Sequence, residues 1–505
     1  MVLTNYLNEK HPYRIWKSKN FNTNSIKMKG KAMKVLKAIL TLVIISTALA
    51  QNSVNFQKFF ENKTLRVDYF HTGTATTETI SLDQVYEEGP WAGSQVNLID
   101  TLNLGKYLVK VFDTQTNRLI YSRGFSSIYG EWETTQEAKD GITRTFHESV
   151  LLPLPKRKIQ MVIAKRDRWM IFHDIFSTVI DPHSRFVNRE KRAPDFKVII
   201  LHESGPPSQK VDFLLLGDGY TKDELGKFRK DAERWKKVIL STSPFKEHAR
   251  DINIRAIEVI SQDSGIDEPR KNLWRNTALS CSYNSLDSPR YILSLDNKAI
   301  RDVASAAPYD FIYILVNSKR YGGGGIYNLY ATGMTGVENP DLDWHVEYMF
   351  THEFGHSFAG LGDEYYTSSV SYLDFYPKGV EPWEPNITAL VNPKNLKWKA
   401  FVEEGTPIPT PWPKAQYDSL EAIRRSWDRS KPGYYEKWVK IIKQQKQIIH
   451  QAKYWGKVGA FEGAGYSSKG LYRPFMDCRM FSLSTVPFDP VCRAAIERVI
   501  KFYAK

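Results

Sequence analysis

The chain has 505 residues, 42% of them apolar and 25% charged, which is ordinary for a globular protein of two or three domains. Its formal net charge is +14. Nine Lys/Arg and one acidic residue fall in residues 1–50, so the rest carries about +6, too mild an excess for a dedicated nucleic-acid binder.

Residues 27–34 are basic through Lys27, Lys29, Lys31 and Lys34, and residues 35–48 are apolar apart from Lys37, Thr41, Ser46 and Thr47. Ala48-Leu49-Ala50 then offers the small residues of a cleavage site, so residues 1–50 read as an extension plus a secretory signal peptide cut after Ala50. Residues 1–27 sit oddly ahead of such a leader, and Met28 or Met33 is an alternative start. A transmembrane anchor is the competing reading, but the run falls short of the roughly 20 residues a span needs. No cysteine follows it for a lipid anchor, and no second long apolar segment occurs, so a secreted or periplasmic protein without a stable membrane anchor is expected. Cys478 and Cys492 are close enough in sequence to pair in an oxidising compartment, while Cys281 reads as a small buried residue.

Residues 51–190 alternate short β-rich runs with turns, as in residues 64–70, 106–112 and 159–164, a pattern that predicts an all-β sandwich domain. His147, His173 and His183 are too dispersed there for a metal site. A polar linker, residues 188–194, leads to a second domain, residues 191–505. Residues 197–201 and 211–216 read as buried strands, residues 222–240 as a helix, and residues 252–260 and 309–317 as further strands, which implies a mixed α/β sheet. Gly217-Asp218-Gly219-Tyr220-Thr221 lacks the glycine and lysine spacing of a phosphate-binding loop. In residues 321–331 four glycines permit close backbone approach and the following run alternates as an edge strand would.

The most informative stretch is Thr351-His352-Glu353-Phe354-Gly355-His356-Ser357-Phe358-Ala359-Gly360-Leu361-Gly362-Asp363-Glu364-Tyr365. On a helix His352 and His356 share one face, where two imidazoles take adjacent corners of a zinc tetrahedron. Glu353 projects beside them, placed to take a proton from metal-activated water. Phe350, Phe354 and Phe358 recur on the far side, about 200° round, as an anchoring stripe. Gly360-Leu361-Gly362 can end the helix and reverse the chain, returning Asp363 and Glu364 toward the metal. Farther on, residues 420–453 are amphipathic and interrupted by Pro432-Gly433, and residues 462–480 carry Tyr472-Arg473-Pro474, Cys478 and Met480.

The extended motif resembles the metzincin clan and, more narrowly, His-Glu-Phe-Gly-His-Ser-Phe…Gly-Leu…Asp-Glu-Tyr is similar to the IgA-peptidase family of secreted bacterial zinc metallopeptidases. The resemblance spans residues 55–505. It implies a metzincin-like α/β peptidase domain behind a β domain, one catalytic Zn2+ and hydrolysis of protein or peptide substrates. It assigns the metal to His352, His356 and Asp363, with Glu364 as the other candidate, because the usual metzincin position falls on Gly362, which has no side chain. It also implies Glu353 as catalytic base, Met480 (or Met476) as the methionine beneath the metal, and Gly324, Gly325, Ile326 and Tyr327 as an edge that holds extended substrate. A rival of another class is a secreted adhesion or glycan-binding protein with a non-catalytic metal site, supported by the sandwich and by aromatics at 13% of the chain.

Overall fold

A computed structural model describes residues 54–192, 196–367, 372, 375–428, 431 and 433–504. The region read as a signal peptide, and the Ala193-Pro194 end of the linker, lie outside the described residues. Among those residues no helix is long and apolar enough to cross a membrane.

The first part of the chain forms two four-stranded sheets. One has the order β5-β1-β2-β8, from Arg144–Pro155, Phe60–Gly73, Glu78–Glu88 and Val187–Asn188. The other has the order β4-β3-β6-β7, from Arg118–Phe125, Tyr107–Asp113, Ile159–Arg166 and Phe172–Ile180. Strand β3 alternates, burying Tyr107, Val109 and Val111. These pack with Leu65, Val67, Val150 and Leu152 of the other sheet in one apolar core, the outcome that period-two patterning dictates for facing sheets.

A six-stranded mixed sheet follows, in the order β15-β16-β14-β10-β11-β9. Its members are β9 (Val198–His202), β10 (Val211–Asp218), β11 (Ile252–Ile257), β14 (Phe311–Val316), β15 (Gly323–Ile326) and β16 (Tyr330–Met334); a small ribbon of β12 (Cys281–Ser282) and β13 (Leu293–Ser294) lies between. The four inner strands run parallel, and β9 and β15 close the edges antiparallel. All eight residues of β10 are buried because both faces are covered. Val211, Phe213 and Leu215 face helix α1 (Leu225–Ser241) and the later helices, while Leu214 and Leu216 face helix α2 (Asn297–Ala304). Two sequence expectations change. The 197–201 strand is half-exposed, with Ile200 60% accessible, because it is the outer edge strand. The expected edge strand over residues 326–331 is instead the glycine run itself, and residues 327–329 make the turn into β16.

Helix α3 (Trp344–Ala359) carries the two histidines across this sheet. Phe350, Phe354 and Phe358 are fully buried, Phe354 edge-on to Phe213 at 4.8 Å and Phe358 to Phe311 at 4.6 Å. The flank of α3 lies so close to β15 that a Cβ on Gly323 would stand 2.5 Å from the Met349 sulfur, and one on Gly325 would stand 2.2 Å from the Glu353 carbonyl oxygen. Beyond α3, helices α4 (Lys414–Arg425) and α5 (Tyr434–His450) flank the Pro432-Gly433 interruption, and α6 (Pro490–Tyr503) packs under the core.

Because the atom opposite Gly325 is backbone, it cannot rotate away. Gly325→Ala should lower unfolding free energy by about 1–3 kcal/mol in urea denaturation, whereas Gly226→Ala, in open space on α1, should leave it unchanged or raise it.

Candidate metal centre

Helix α3 ends at Gly360, whose φ of 60° is left-handed. Gly360 N–H donates to His356 O at 3.0 Å and Leu361 N–H to Gly355 O at 3.2 Å, a paired C-terminal cap that turns the chain back along the helix. A Cβ on Gly362 would stand 2.4 Å from Ile387 Cδ1, so the return also needs a bare backbone there. Asn386 then straps it. Its side chain accepts from Gly362 N–H at 2.8 Å and donates to Gly362 O at 2.9 Å.

The return delivers Asp363 to the histidines. His352 Nε2 and His356 Nε2 are 3.2 Å apart, and Asp363 Oδ1 lies 3.0 Å from the first and 3.3 Å from the second. Four-coordinate zinc with bonds of about 2.0–2.1 Å spaces nitrogen and oxygen ligands about 3.3 Å apart. The hydrogen bonds fix which ring nitrogens are free. His356 Nδ1–H donates to Leu361 O at 2.5 Å, and His352 Nδ1–H has Arg479 O at 3.0 Å and the Tyr348 hydroxyl oxygen at 2.9 Å as acceptors. Both Nε2 atoms therefore present lone pairs, and the buried Asp363 Oδ1 between them has no donor of its own. Its other oxygen accepts from the Tyr466 hydroxyl at 2.6 Å.

Glu353 sits on the same helix with its Cγ against Gly323 of β15, half-buried at the edge of a cavity of roughly 460 Å³. Burial pushes its carboxyl above the ordinary 4.5, opposed by His352 and His356. Glu364, the other candidate ligand, is directed elsewhere: its Oε1 accepts from Asn386 Nδ2 at 2.9 Å and lies 3.3 Å from Cys492 Sγ. Met480 is fully buried with its sulfur 3.1 Å from the Cβ position of Gly355, beneath the turn between the histidines, and its carbonyl accepts from Glu364 N–H at 2.9 Å. Met476 is buried too, its carbonyl engaged by Arg473. Of the expected substrate edge, Gly325 and Tyr327 line the cavity. Gly324 packs against the Tyr291 ring, Ile326 is buried, and the Tyr327 carbonyl is already taken by Ser126 N–H. Gly323 pairs outward with Arg290 and Ile292, so alternation along the strand turns the Gly325 backbone outward as well.

Several groups at the site had no motif to announce them. Arg290 lines the cavity and donates to the Tyr365 hydroxyl at 3.0 Å. Glu131, from a helical turn at Ile128–Trp132 of the N-terminal region, accepts from the hydroxyls of Tyr291 and Tyr372, each at 2.6 Å, and joins the cavity wall. The isolated histidines lie elsewhere, His147 against Asp83 and His173 against Asp167.

The family model of the IgA peptidase M64 matches residues 199–500, and that of the Peptidase M64 N-terminus matches residues 55–177. The chain belongs to the IgA peptidase M64 family. No curated protein matches it. Membership makes this M64 chain a peptidase with an N-terminal domain ahead of its peptidase domain, in a metallopeptidase family, and His352, His356 and Asp363 form a group that could hold a metal ion. Removing the donor behind the carboxylate should loosen that set: Tyr466→Phe should weaken metal affinity about 10–100-fold in competition with a chelator, with the fold intact by circular dichroism.

Proposed function

We propose that the protein is a secreted zinc endopeptidase, metzincin-like in its site, that hydrolyses peptide bonds of extracellular proteins. The observation that carries this reading is the convergence of His352 Nε2, His356 Nε2 and Asp363 Oδ1 within 3.3 Å, with both Nδ1 positions committed to other acceptors. Bound there, zinc supplies Lewis acidity that polarises a carbonyl and acidifies water.

The chain's own residues do the rest. Glu353 takes a proton from the attacking water and returns it to the leaving amine, and burial raises its carboxyl above the ordinary value, which favours holding that proton between the two transfers. Tyr466 holds Asp363 in place, and Arg290 sets positive charge in the cavity beside the reacting peptide. The outward backbone of Gly325 offers an extended peptide one strand-like pairing, so recognition rests more on accessible, unstructured segments than on side-chain sequence. Flexible linkers and loops of extracellular proteins are therefore the substrate class; the family's name alone does not carry immunoglobulin A to this chain. The basic and apolar residues 27–50 support export.

Glu353→Gln should keep its zinc by metal analysis while losing at least about a hundredfold in kcat on a denatured protein substrate; an equally active variant removes Glu353 from the reaction. Since the base must be ionised, kcat/KM should fall as the pH drops through a value above 4.5, and this acid limb should vanish in the residual activity of Glu353→Gln.

A further inference from the structure

A second group of ligating side chains lies directly behind the first. Glu364, Cys478, Asp489 and Cys492 are all buried, at 0%, 0%, 3% and 0% accessible, and each offers a donor atom within 4.8 Å of the others. They come from the loop after α3, the turn that carries Met480, and the start of α6. The cysteines are unbonded, with sulfurs 3.8 Å apart.

Each carboxylate has one oxygen engaged and one left over. Glu364 Oε1 accepts from Asn386, and Asp489 Oδ1 caps α6 by accepting from Val491 N–H at 2.7 Å and Cys492 N–H at 3.1 Å. Glu364 Oε2 and Asp489 Oδ2 are buried without any donor. Two such oxygens in one apolar interior are costly unless a cation, or a proton held between them, meets both, and a cation would also engage the two thiols beside them. A disulfide between Cys478 and Cys492 would satisfy neither of them.

The spacing fits a specific cation. Tetrahedral zinc with Zn–S bonds of about 2.3 Å sets two sulfurs about 3.8 Å apart, and a sulfur and a carboxylate oxygen about 3.5 Å apart. The sulfurs are 3.8 Å apart, and all four residues offer donor atoms within 4.8 Å of one another. Two thiolates, two carboxylates and zinc leave the same net charge as a four-cysteine zinc site, a common structural type. The N-terminus of α6 and the fully buried Arg473 guanidinium add positive potential beside it.

We propose that Glu364, Cys478, Asp489 and Cys492 form a second, structural metal site that takes zinc or another borderline-soft divalent cation. Four protein ligands close the coordination shell, so no position is open for chemistry. The ion ties Glu364, next to the catalytic-site ligand Asp363, to the Met480 turn and to the C-terminal helix. It thus braces the first site from behind, and the ligand set requires reduced thiols.

Metal analysis of the purified full chain tests this with zinc alone. Two zinc per chain are expected in the unaltered protein, and one in the His352→Ala/His356→Ala variant. Replacing zinc in that variant with Co2+ should give the near-ultraviolet charge-transfer absorption of cobalt–thiolate bonds, which Cys478→Ser/Cys492→Ser removes along with one zinc. Should the cysteine variant fail to fold, the histidine variant still decides. One zinc in the unaltered chain that the histidine variant loses entirely overturns the second site, as does a Cys478–Cys492 disulfide found by non-reducing peptide mapping. One zinc that survives the histidine changes and binds cobalt through thiolate upholds the second site and sinks the first.

Discussion

Everything at the centre depends on how one helix is seated. Helix α3 must bury Phe350, Phe354 and Phe358 on one side and present His352 and His356 on the other, and a helix offers both only if its roll about its own axis is fixed. The phenylalanines supply the drive, packed edge-on against Phe213 and Phe311. The fine setting comes from what is missing. Gly323 and Gly325 let the edge strand approach the helix backbone, and Gly355 leaves room for the Met480 sulfur below. Larger residues on either side would roll or lift the helix and turn the imidazoles away from Asp363.

Orientation of the ligands is then a matter of buried polar bookkeeping over long sequence separations. The His352 ring is fixed by Arg479 O, and Arg479 is itself held by its guanidinium, which donates to Thr351 Oγ1 on α3, to Val486 O and to Thr485 O. Asp363 is fixed by Tyr466, and its loop by Asn386. Each of these buried groups is hydrogen-bonded inside a water-poor interior, so displacing one leaves its partner unsatisfied. The result is that His352, His356 and Asp363 are each held by hydrogen bonds at the positions where their donor atoms converge.

Features set by local rules alone are the most legible in the sequence. The i, i+4 histidines, the phenylalanine stripe and the left-handed Gly360 are properties of a single helix and its cap, and they appear as expected. The strands at residues 64–70, 106–112 and 211–216 follow from period-two patterning and from a continuous apolar run. Pattern alone could not tell that Val198–His202 would be an edge strand, because exposure depends on which strand lies beside it. Nor could it divide the glycine run, since four glycines carry no alternation and their strand is defined by pairing with residues 330–333. Tyr466, Asn386, Arg290 and Glu131 were invisible for a related reason: each serves a partner between 24 and 241 residues distant or in another region, and no short motif records such a distance.

The role of Glu131 changes how the N-terminal region should be understood. The Tyr291 and Tyr372 hydroxyls converge on its carboxylate, Ser126 N–H donates to Tyr327 O, and Asn328 donates to Gly124 O. The last two contacts join the first region to the turn between β15 and β16, next to Gly325, and the first two join it to the loops that carry Tyr291 and Tyr372. Lys106 and Lys165 of the same region also line the cavity, both paired with Glu133. The cavity that holds His352 and His356 is therefore walled partly by the peptidase region and partly by the β-rich region. The wall from the β-rich region is charged, through Glu131, Glu133, Lys106 and Lys165. Side chains from both regions therefore line the cavity, and the N-terminal part supplies one side of it.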